Sequence, residues 1–236
     1  MKFTNTEVFN FEGALRGMRN PMNSWEKSDS RYCAMDDEID CNICILNDNK
    51  GCHMMNSMSI CGGYIIGEKD LKLAQSLIKA GTEHCKFMRM IHVCVDVDMP
   101  RYWWSEEDTY HFNTKNSCST MHKLLNNVNP ITRDLFVLCD EDLDIADLVI
   151  ERLENLRIEF KQSKDSDYKN RLLVRAKRLL MEGFLQLRTL DTTYAELRSE
   201  YFQRKNHRLK EEWQDTFCKW VESLPYAKEL IMLDTN

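Results

Sequence analysis

The chain has 236 residues, of which 43% are hydrophobic and 30% are charged, values that are ordinary for a soluble globular protein. That length supplies enough material for one large domain or two small ones with a buried core. The formal net charge of −6 excludes a whole-chain basic field for duplex DNA or an anionic membrane, so we expect no nucleic-acid or membrane partner.

Neither a membrane span nor an export signal is predicted. No run of about 18 apolar residues is present, so no transmembrane helix is expected. The first seven residues, 1–7, lack the apolar core of a signal peptide. We therefore expect a cytoplasmic protein. In a reducing compartment its ten cysteines are free thiols, packing residues or metal ligands rather than disulfides.

The N-terminal quarter combines one short regular segment with a long irregular one. Residues 7–11 predict a short strand, and the residues up to Met18 predict a helical turn, which Pro21 ends. Asn, Asp, Ser, Met and Cys dominate the residues that follow, and Gly62-Gly63 closes them. We interpret residues 30–64 as a Cys-rich loop insertion in an otherwise regular domain.

The middle of the chain has the periodicities of a helix, a strand and a second helix. Asp70 is placed to cap a helix whose apolar residues share one face, and Gly81 ends it. Over residues 87–97 the odd positions are Phe, Arg, Ile, Val, Val and Val, and the residues between them are mainly polar or soft. That period of two predicts a half-buried strand. Pro100 then begins a short aromatic helix over residues 101–108.

The second half of the chain is predominantly helical. Gly183 separates the helices from an alternating segment at residues 184–189, which predicts a late strand. Three sets of apolar residues at helical spacing are predicted core positions: Ile145, Leu148, Val149, Leu153, Leu156 and Phe160; Leu172, Leu173, Ala176, Leu179 and Leu180; and Leu209, Trp213, Phe217, Trp220, Val221 and Leu224.

Residues 83–122 form a block rich in His, Asn, Ser, Tyr and paired Trp. A Glu-His pair, a strand, a proline and a helix follow one another, an order that resembles the flavin-dependent thymidylate synthase family. The family signature is Arg-His-Arg, two residues, Ser, one residue, Asn, two residues, Ser, one residue and Arg-Tyr. When it is laid without gaps from Pro100, its Asn falls on Asn116 and its two serines fall on Thr114 and Ser119.

The C-terminal half adds to this resemblance. Residues 178–213 are similar to the family's late strand and two following helices, in which an Asn-x-Arg-x-Leu segment precedes a Leu-x-Arg segment and an Ala-Gln-x-Glu-Ile segment. The resemblance therefore extends over residues 65–224, with the order of elements kept.

The signature arginines are replaced in this chain. The two arginines of Arg-His-Arg fall on Thr109 and His111, the later Arg-Tyr pair falls on Met121-His122, and the Asn-x-Arg segment falls on residues 193–195. In the family those arginines hold the nucleotide phosphate and the flavin, and Thr or Met supplies neither the charge nor the paired donors of a guanidinium. The arginines available as replacements are Arg89, Arg101, Arg188, Arg198 and Arg204.

The resemblance implies a fold, a reaction and an assembly. The fold is α+β, a single domain of residues 1–236 with a central, mainly antiparallel sheet and long flanking helices. The reaction is the reductive methylation of dUMP to dTMP, with methylenetetrahydrofolate as carbon donor and FAD, recharged by NADPH, as hydride donor. Family members are homotetramers, so a homo-oligomer is expected as well.

The resemblance also implies roles for particular residues. Ser119 is the expected catalytic residue. The expected substrate-binding residues are Asn116, Thr114, Tyr110, Arg188, Arg198 and Arg204. The expected cofactor-binding residues are Glu83, His84, Trp103, Trp104, His111 and His207.

Structural roles compete with several of these functional ones. Asn116 and Ser119 are three residues apart, so one helical turn would present both from one face, but Asn116 is also a good N-cap. The paired tryptophans Trp103-Trp104 are either stacking platforms or core. His84 follows Gly81 and would gain from a helix C-terminus. Cys118 lies in the block without an obvious activating base.

The insertion contains a partial zinc motif. Cys41 and Cys44 have half of a zinc-knuckle spacing, and Cys52 or Cys61 would complete a ligand set, but a second Cys-x-x-Cys is missing. An incidental cluster of thiols in a loop is favoured over a metal site.

Two further functions stay open. The first is a pyrimidine-nucleotide-binding protein of the same fold that is non-catalytic or altered in specificity, because the arginines are missing. The second is a helical interaction protein whose insertion carries zinc.

Overall fold

The computed structural model describes residues 1–33, 47–48, 51–52 and 63–234. Three of the candidate zinc ligands, Cys41, Cys44 and Cys61, lie outside the described residues, and only the backbone of Cys52 is described. Within the described part of the chain, no three His, Cys, Asp or Glu side chains are grouped so that they could hold a metal ion.

The strands build one four-stranded sheet and two small ribbons. The main sheet has the order β1-β6-β8-β7, and the ribbons pair β2 with β5 and β3 with β4, both antiparallel. The strands are β1 (Lys2–Phe9), β2 (Arg31–Tyr32), β3 (Asn47–Asp48), β4 (Gly51–Cys52), β5 (Tyr64–Ile65), β6 (His92–Pro100), β7 (Thr114–Ser117) and β8 (Leu185–Thr193).

Helices dominate the rest of the described chain. Two π-helical segments, Lys210–Cys218 and Ala227–Ile231, flank the last α-helix. The helix predicted over residues 209–224 is therefore present, but its first half is a π-helix, which is wider than an α-helix. The α-helices are α1 (Phe11–Arg19), α2 (Glu68–Lys79), α3 (Arg101–Glu107), α4 (Thr120–Lys123), α5 (Leu143–Gln162), α6 (Ser166–Leu179), α7 (Tyr194–Arg204) and α8 (Lys219–Glu222). The predicted α+β class with a mainly antiparallel sheet is therefore confirmed.

The chain divides into two compact units. Unit 1 comprises Met1–Lys2, Val97–Thr109 and Asn116–Arg188, and unit 2 comprises Phe3–Asp96, Tyr110–Lys115 and Thr189–Asn236. The single-domain interpretation stays a prediction. No described helix is both long and apolar enough to cross a membrane.

The core of unit 1 lies around the helical pair α5 and α6, which pack against each other. The turn between them is short because the Asp165 side chain accepts hydrogen bonds from the backbone N–H groups of Asp167 and Tyr168, an N-cap that starts α6. The buried apolar residues of this core are Leu124, Leu125, Ile131, Phe136, Ile150, Leu153, Leu156, Leu172, Ala176 and Leu180.

Two of the predicted core positions are wrong. Ile145 is 61% exposed and Leu148 is 68% exposed, although Val149 packs on the core of unit 1. The apolar stripe of α5 is wider than the surface that α6 covers, so one edge of it faces outward.

In unit 2 the alternation of β6 is the clearest confirmed pattern. Val93 and Val95 are fully buried, whereas His92, Cys94 and Asp96 point to the other face and are half-buried. The strand begins at His92 and not at the predicted residue 87, because the segment Lys86–Met90 forms a 3₁₀ turn.

The start of α2 also differs from the prediction. Its cap comes from Asp29, whose carboxylate accepts hydrogen bonds from the backbone N–H groups of Lys69 (2.9 Å) and Asp70 (3.1 Å). Asp70 itself is buried inside the first turn and pairs with Arg19, with 2.6 Å between Nε and Oδ1. Capping from a distant loop is a tertiary contact that the local sequence does not reveal.

Candidate functional site

Asn116 and Ser119 do not share a helical turn. Asn116 lies in strand β7, and Ser119 is the residue before α4, where its hydroxyl accepts a hydrogen bond from the backbone N–H of His122 at 3.3 Å. The cap predicted at Asn116 is therefore wrong by three residues. The side chain of Asn116 is exposed, as is that of Thr114.

Arg188 is held in a polar group within unit 1. Its Nη1 donates to both carboxylate oxygens of Asp108 (2.9 and 3.1 Å), and its Nη2 donates to Oε1 of Gln186 (3.2 Å). The guanidinium lies 4.3 Å from the centre of the Trp104 ring. Its Nε is buried and has no hydrogen-bond partner within the described part of the chain. Arg188 thus keeps one donor, although Asp108 already balances its charge.

The paired tryptophans are core residues of unit 1. Both Trp103 and Trp104 are 0% exposed, and their rings meet edge to face with 4.8 Å between centroids. The indole N–H of Trp104 donates to the backbone carbonyl of Gln186 at 2.9 Å. Neither ring has an open face for a flavin or folate, so the predicted stacking role is not supported. Trp104 instead supports the guanidinium of Arg188 through a cation–π contact.

A polar cavity of about 260 Å³ lies in unit 2. It is formed where the loop before β7 meets β6 and the end of β8. The loop is short and runs from His111 to Thr114, the first residue of β7, and His92 is the first residue of β6. The lining residues are His92, His111, Phe112, Asn113, Thr114, Asp191, Thr192 and Thr193.

Thr192 is the most unusual residue of this lining. Its side chain is 1% exposed, yet its hydroxyl has no hydrogen-bond partner among residues 1–33 and 63–234. A buried polar group without a partner costs ~1–3 kcal/mol, so such groups are rare and need an explanation. Thr192 is also one of the residues that line the cavity.

His92 and Asp191 form a pair at the edge of the cavity. The imidazole Nδ1 lies 3.3 Å from the Asp191 carboxylate, and the ring stacks on Phe9 with 5.4 Å between centroids. The carboxylate and the aromatic ring fix the orientation of the imidazole. Because Nδ1 of His92 faces Asp191, its other ring nitrogen, Nε2, is left for another contact.

Glu196 stands beside the cavity loop at the start of α7. Burial raises the pKa of its carboxyl, while the positive charges of Lys115, His111 and Arg89 partly offset that rise. Helix α7 itself begins at Thr193, whose hydroxyl accepts from the backbone N–H of Glu196 at 3.4 Å. The residues that stand at the family's Asn-x-Arg position thus make a helix cap.

Arg204 and Tyr110 make a second aromatic and basic cluster in unit 2. The Arg204 guanidinium lies 4.2 Å from the ring centre of Trp213, and its Nε donates to the Tyr110 hydroxyl at 2.9 Å. His207 meets Trp213 edge to face. Two predicted site residues, Arg204 and His207, therefore contact Trp213, and a third, Tyr110, joins the cluster through Arg204.

Arg198 has a structural environment. Its Nη1 donates to the backbone carbonyl of Ile231 at 2.6 Å, its guanidinium lies 4.8 Å from the ring centre of Phe202, and burial lowers its pKa. The guanidinium holds the C-terminal segment through Nη1, and its role as a replacement arginine stays a prediction. Arg101 pairs with Glu182 at 3.1 Å.

The Glu-His pair lies at the surface. Glu83 and His84 are exposed, and Glu83 is 4.0 Å from Lys86. The backbone N–H of His84 donates to the carbonyl of Gly81 at 3.0 Å, so the residue does lie beside the end of α2, as the competing interpretation held.

Sequence reasoning missed six cavity residues: His92, Phe112, Asn113, Asp191, Thr192 and Thr193. The signal for His92 was its polar position at the start of an apolar strand, opposite the buried valines. No local signal marks Thr192, because a threonine in a strand is ordinary and its missing partner is visible only in three dimensions.

Solved structures share this fold along nearly the whole chain. A crystal structure of flavin-dependent thymidylate synthase ThyX from Helicobacter pylori, complexed with FAD and dUMP, superposes with a TM-score of 0.65 and 17% identity, covering 98% of each chain. The fold is that of the flavin-dependent thymidylate synthases. A second Helicobacter pylori ThyX structure with FAD and dUMP gives 0.65 at 16% identity, over 98% of this chain and 97% of the other. No protein-family model and no curated protein sequence matches the chain.

Proposed function

We propose that this protein is a flavin-dependent thymidylate synthase that binds dUMP and methylates it reductively to dTMP. The single observation that carries the proposal is the shared fold along 98% of both chains with an enzyme whose structure contains FAD and dUMP. The polar cavity of unit 2 adds support, because it includes His111 and Thr114 at positions of the family signature.

The cavity suits one part of a nucleotide. A volume of about 260 Å³ lies just below the ~300–1,000 Å³ of typical small-molecule pockets, which is enough for one ring or one phosphate group. Its lining offers two imidazoles, one amide, one carboxylate and three threonine hydroxyls. These groups supply both donors and acceptors, as the imide edge of a uracil ring requires. We assign His111, Thr114 and Asn113 to contacts with the nucleotide.

A complete FAD does not fit inside this cavity. The dinucleotide is far larger than one ring system, and no arginine lines the cavity to face its pyrophosphate. The flavin therefore needs surface outside it. In the proposed reaction FAD carries the hydride that NADPH supplies, and methylenetetrahydrofolate provides the carbon. Within the described part of unit 2, the residues proposed for nucleotide contacts outside the cavity are Tyr110, Arg204 and His207. The roles expected of Asn116, Ser119 and Arg188 in unit 1 stay predictions.

The first experiment is a visible absorption spectrum of the purified protein, recorded before and after addition of FAD and then dUMP. Flavin bands that co-purify, or that shift when dUMP is added, support the proposal. Formation of dTMP from dUMP, methylenetetrahydrofolate and NADPH tests the reaction directly. A protein that neither perturbs the flavin spectrum nor forms dTMP would overturn the proposal.

Asn116→Ala tests the nucleotide contact with little risk to the fold. The side chain is exposed in β7, so thermal stability should change by less than ~0.5 kcal/mol. If the amide contacts the base, dUMP affinity should fall about threefold to tenfold, the value of one net hydrogen bond. The matched control is Asn126→Ala, another exposed asparagine. Equal affinities for both variants would remove Asn116 from the site.

A non-catalytic or altered-specificity pyrimidine-nucleotide binder of the same fold is the second candidate. One observation favours it: His111 lines the cavity at a position where the family signature has an arginine. Thermal-shift measurements with dUMP, UMP, dCMP and dTMP, each without flavin, distinguish the two functions. Stabilisation by one nucleotide without any flavin binding or turnover selects this candidate.

A further inference from the structure

The cavity of unit 2 suits a neutral ring better than a phosphate group. Asp191 contributes a carboxylate to its lining, whereas no arginine or lysine among the described residues lines it. A phosphate group would meet that carboxylate without a guanidinium or an ammonium group to balance the repulsion. A pyrimidine ring carries no net charge, and its edge needs the hydrogen-bond donors and acceptors that the polar lining supplies. The base is therefore the part of a nucleotide that fits.

Uracil and cytosine differ along the edge that such a cavity contacts. In uracil N3 carries a hydrogen and donates it, and the oxygen at C4 accepts. In cytosine N3 accepts, and the amino group at C4 donates. The carbonyl oxygen at C2 is common to both bases. A protein group that can only accept, or only donate, therefore discriminates between the two bases, whereas a group that can do either does not.

The hydroxyl groups of the lining do not discriminate in this way. A threonine hydroxyl rotates to donate or to accept as its partner requires. The Thr192 hydroxyl is buried and has no partner within the described part of the chain, so it is suited to the C2 oxygen of either base. Such a contact raises the affinity for both nucleotides and leaves the ratio of the two affinities unchanged.

His92 differs from the threonines because its neighbours in the sheet hold its ring in one state. It begins β6, which lies between β1 and β8. From β8, the Asp191 carboxylate lies 3.3 Å from Nδ1, and from β1, Phe9 stacks on the ring with 11° between the two planes. A carboxylate only accepts, so Nδ1 of the neutral imidazole carries the hydrogen. Nε2 is then an acceptor.

We propose that His92 selects uracil over cytosine by accepting the N3 hydrogen of uracil at Nε2. Asp191 is the positioning residue, because it keeps the imidazole hydrogen on Nδ1. Cytosine would bring the lone pair of its own N3 against the lone pair of Nε2 and leave both acceptors without a donor, which is costly in a cavity. This inference rests on the proposed function, in which the cavity binds the base of dUMP, and it adds the residue that determines base specificity.

Isothermal titration calorimetry on the full chain without flavin tests the selection. The ligands are dUMP, dCMP and 3-methyl-dUMP, which share the deoxyribose and the phosphate and differ only at N3 and C4 of the base. The titrations are made at about pH 8.5, where imidazole side chains are ordinarily neutral. The wild type should bind dUMP at least about tenfold more tightly than either of the other two nucleotides.

Two substitutions change the acceptor. In His92→Gln the side-chain amide reaches the place of Nε2 and offers both a donor and an acceptor, so the affinities for dUMP and dCMP should come within about threefold of each other. In Asp191→Asn the amide can donate to Nδ1, which moves the imidazole hydrogen to Nε2. That variant should bind dCMP more tightly than the wild type does. A purely structural role for either residue would lower both affinities alike.

Two controls change the same cavity without changing this acceptor. His111→Gln replaces the other imidazole of the lining, which is exposed, so that water can exchange the hydrogen between its two nitrogens. Thr192→Val removes the buried hydroxyl. Each control should leave the ratio of the dUMP and dCMP affinities within about twofold of the wild-type ratio, even where both affinities fall. Thermal unfolding verifies that all four variants are folded.

The outcomes separate this inference from the proposed reaction. A wild type that forms dTMP but binds dUMP and dCMP equally would overturn the inference alone, as would His92→Gln with the wild-type ratio, which would transfer the selection to the Asp191 carboxylate. A preference for dUMP that depends on both His92 and Asp191, without any dTMP formation, would overturn the proposed reaction and support the inference. A protein that binds none of the three nucleotides would overturn both.

Discussion

Thr192→Val is the substitution that best separates a binding cavity from an ordinary packing defect. The Thr192 hydroxyl is buried in the cavity wall with no hydrogen-bond partner within the described part of the chain. Valine has nearly the same shape and removes only the polar group. Because an unpaired buried polar group costs ~1–3 kcal/mol, its removal should raise the free energy of unfolding by about 1 kcal/mol or more.

The expected change is measurable by thermal unfolding. For a chain of this length, 1 kcal/mol corresponds to a rise in Tm of ~2–4 °C. The matched control on the same strand is Thr189→Val, whose hydroxyl donates to the Asp96 carboxylate at 2.6 Å. That variant should lose ~0.5–1.5 kcal/mol instead, because it breaks a hydrogen bond that is made. The two threonines should therefore respond with opposite signs.

The ligand measurement completes the argument. If the hydroxyl is reserved for a bound molecule, Thr192→Val should weaken nucleotide binding about threefold to tenfold while it stabilises the free protein. A lower Tm for Thr192→Val would refute the reasoning, because it would mean that the hydroxyl already has a partner. A higher Tm with unchanged binding would keep the packing argument and remove Thr192 from the site.

Two further predictions concern stability. Arg204→Lys should lower the free energy of unfolding, measured in urea, by ~1 kcal/mol, because lysine loses the planar contact that the guanidinium makes with Trp213 at 4.2 Å. The control Arg208→Lys changes an exposed arginine and should leave this free energy unchanged. Equal losses in both variants would contradict the stacking argument. Burial alone would raise the pKa of Asp70, but hydrogen bonds from Ser28 and Ser30 and the Arg19 guanidinium outweigh burial and lower that pKa. The Arg19–Asp70 pair should therefore stabilise the fold above pH ~4 and lose that stability as the pH falls further. Acid titration of Asp70→Asn against the wild type measures this loss, and parallel stability curves below pH 4 would refute it.

The confirmed predictions are those that rest on local periodicity. The alternation in β6 predicted a strand, and Val93 and Val95 are indeed buried while His92 and Asp96 are not. The same alternation did not predict the start of the strand, because residues 86–90 are also partly apolar and two of them, Phe87 and Met88, are buried within a 3₁₀ turn. Periodicity indicates which side chains are buried, but a 3₁₀ turn can bury apolar side chains just as a strand does.

The wrong predictions depend on contacts between distant residues. Asp70 looks like a helix cap in the sequence, but the capping carboxylate belongs to Asp29, about forty residues away. Ile145 and Leu148 have core spacing and yet are exposed, because α6 covers only part of α5.

The sequence by itself determined the order of elements, the alternating strand and the partial signature around Asn116 and Ser119, because spacing along the chain encodes these features directly. Only the tertiary structure decided which polar groups meet. It placed His92 against Asp191, buried the Thr192 hydroxyl in a cavity wall without a partner among the described residues, and paired Arg188 with Asp108, eighty residues away. Such pairings depend on how strands and loops pack in space, and no local pattern records them.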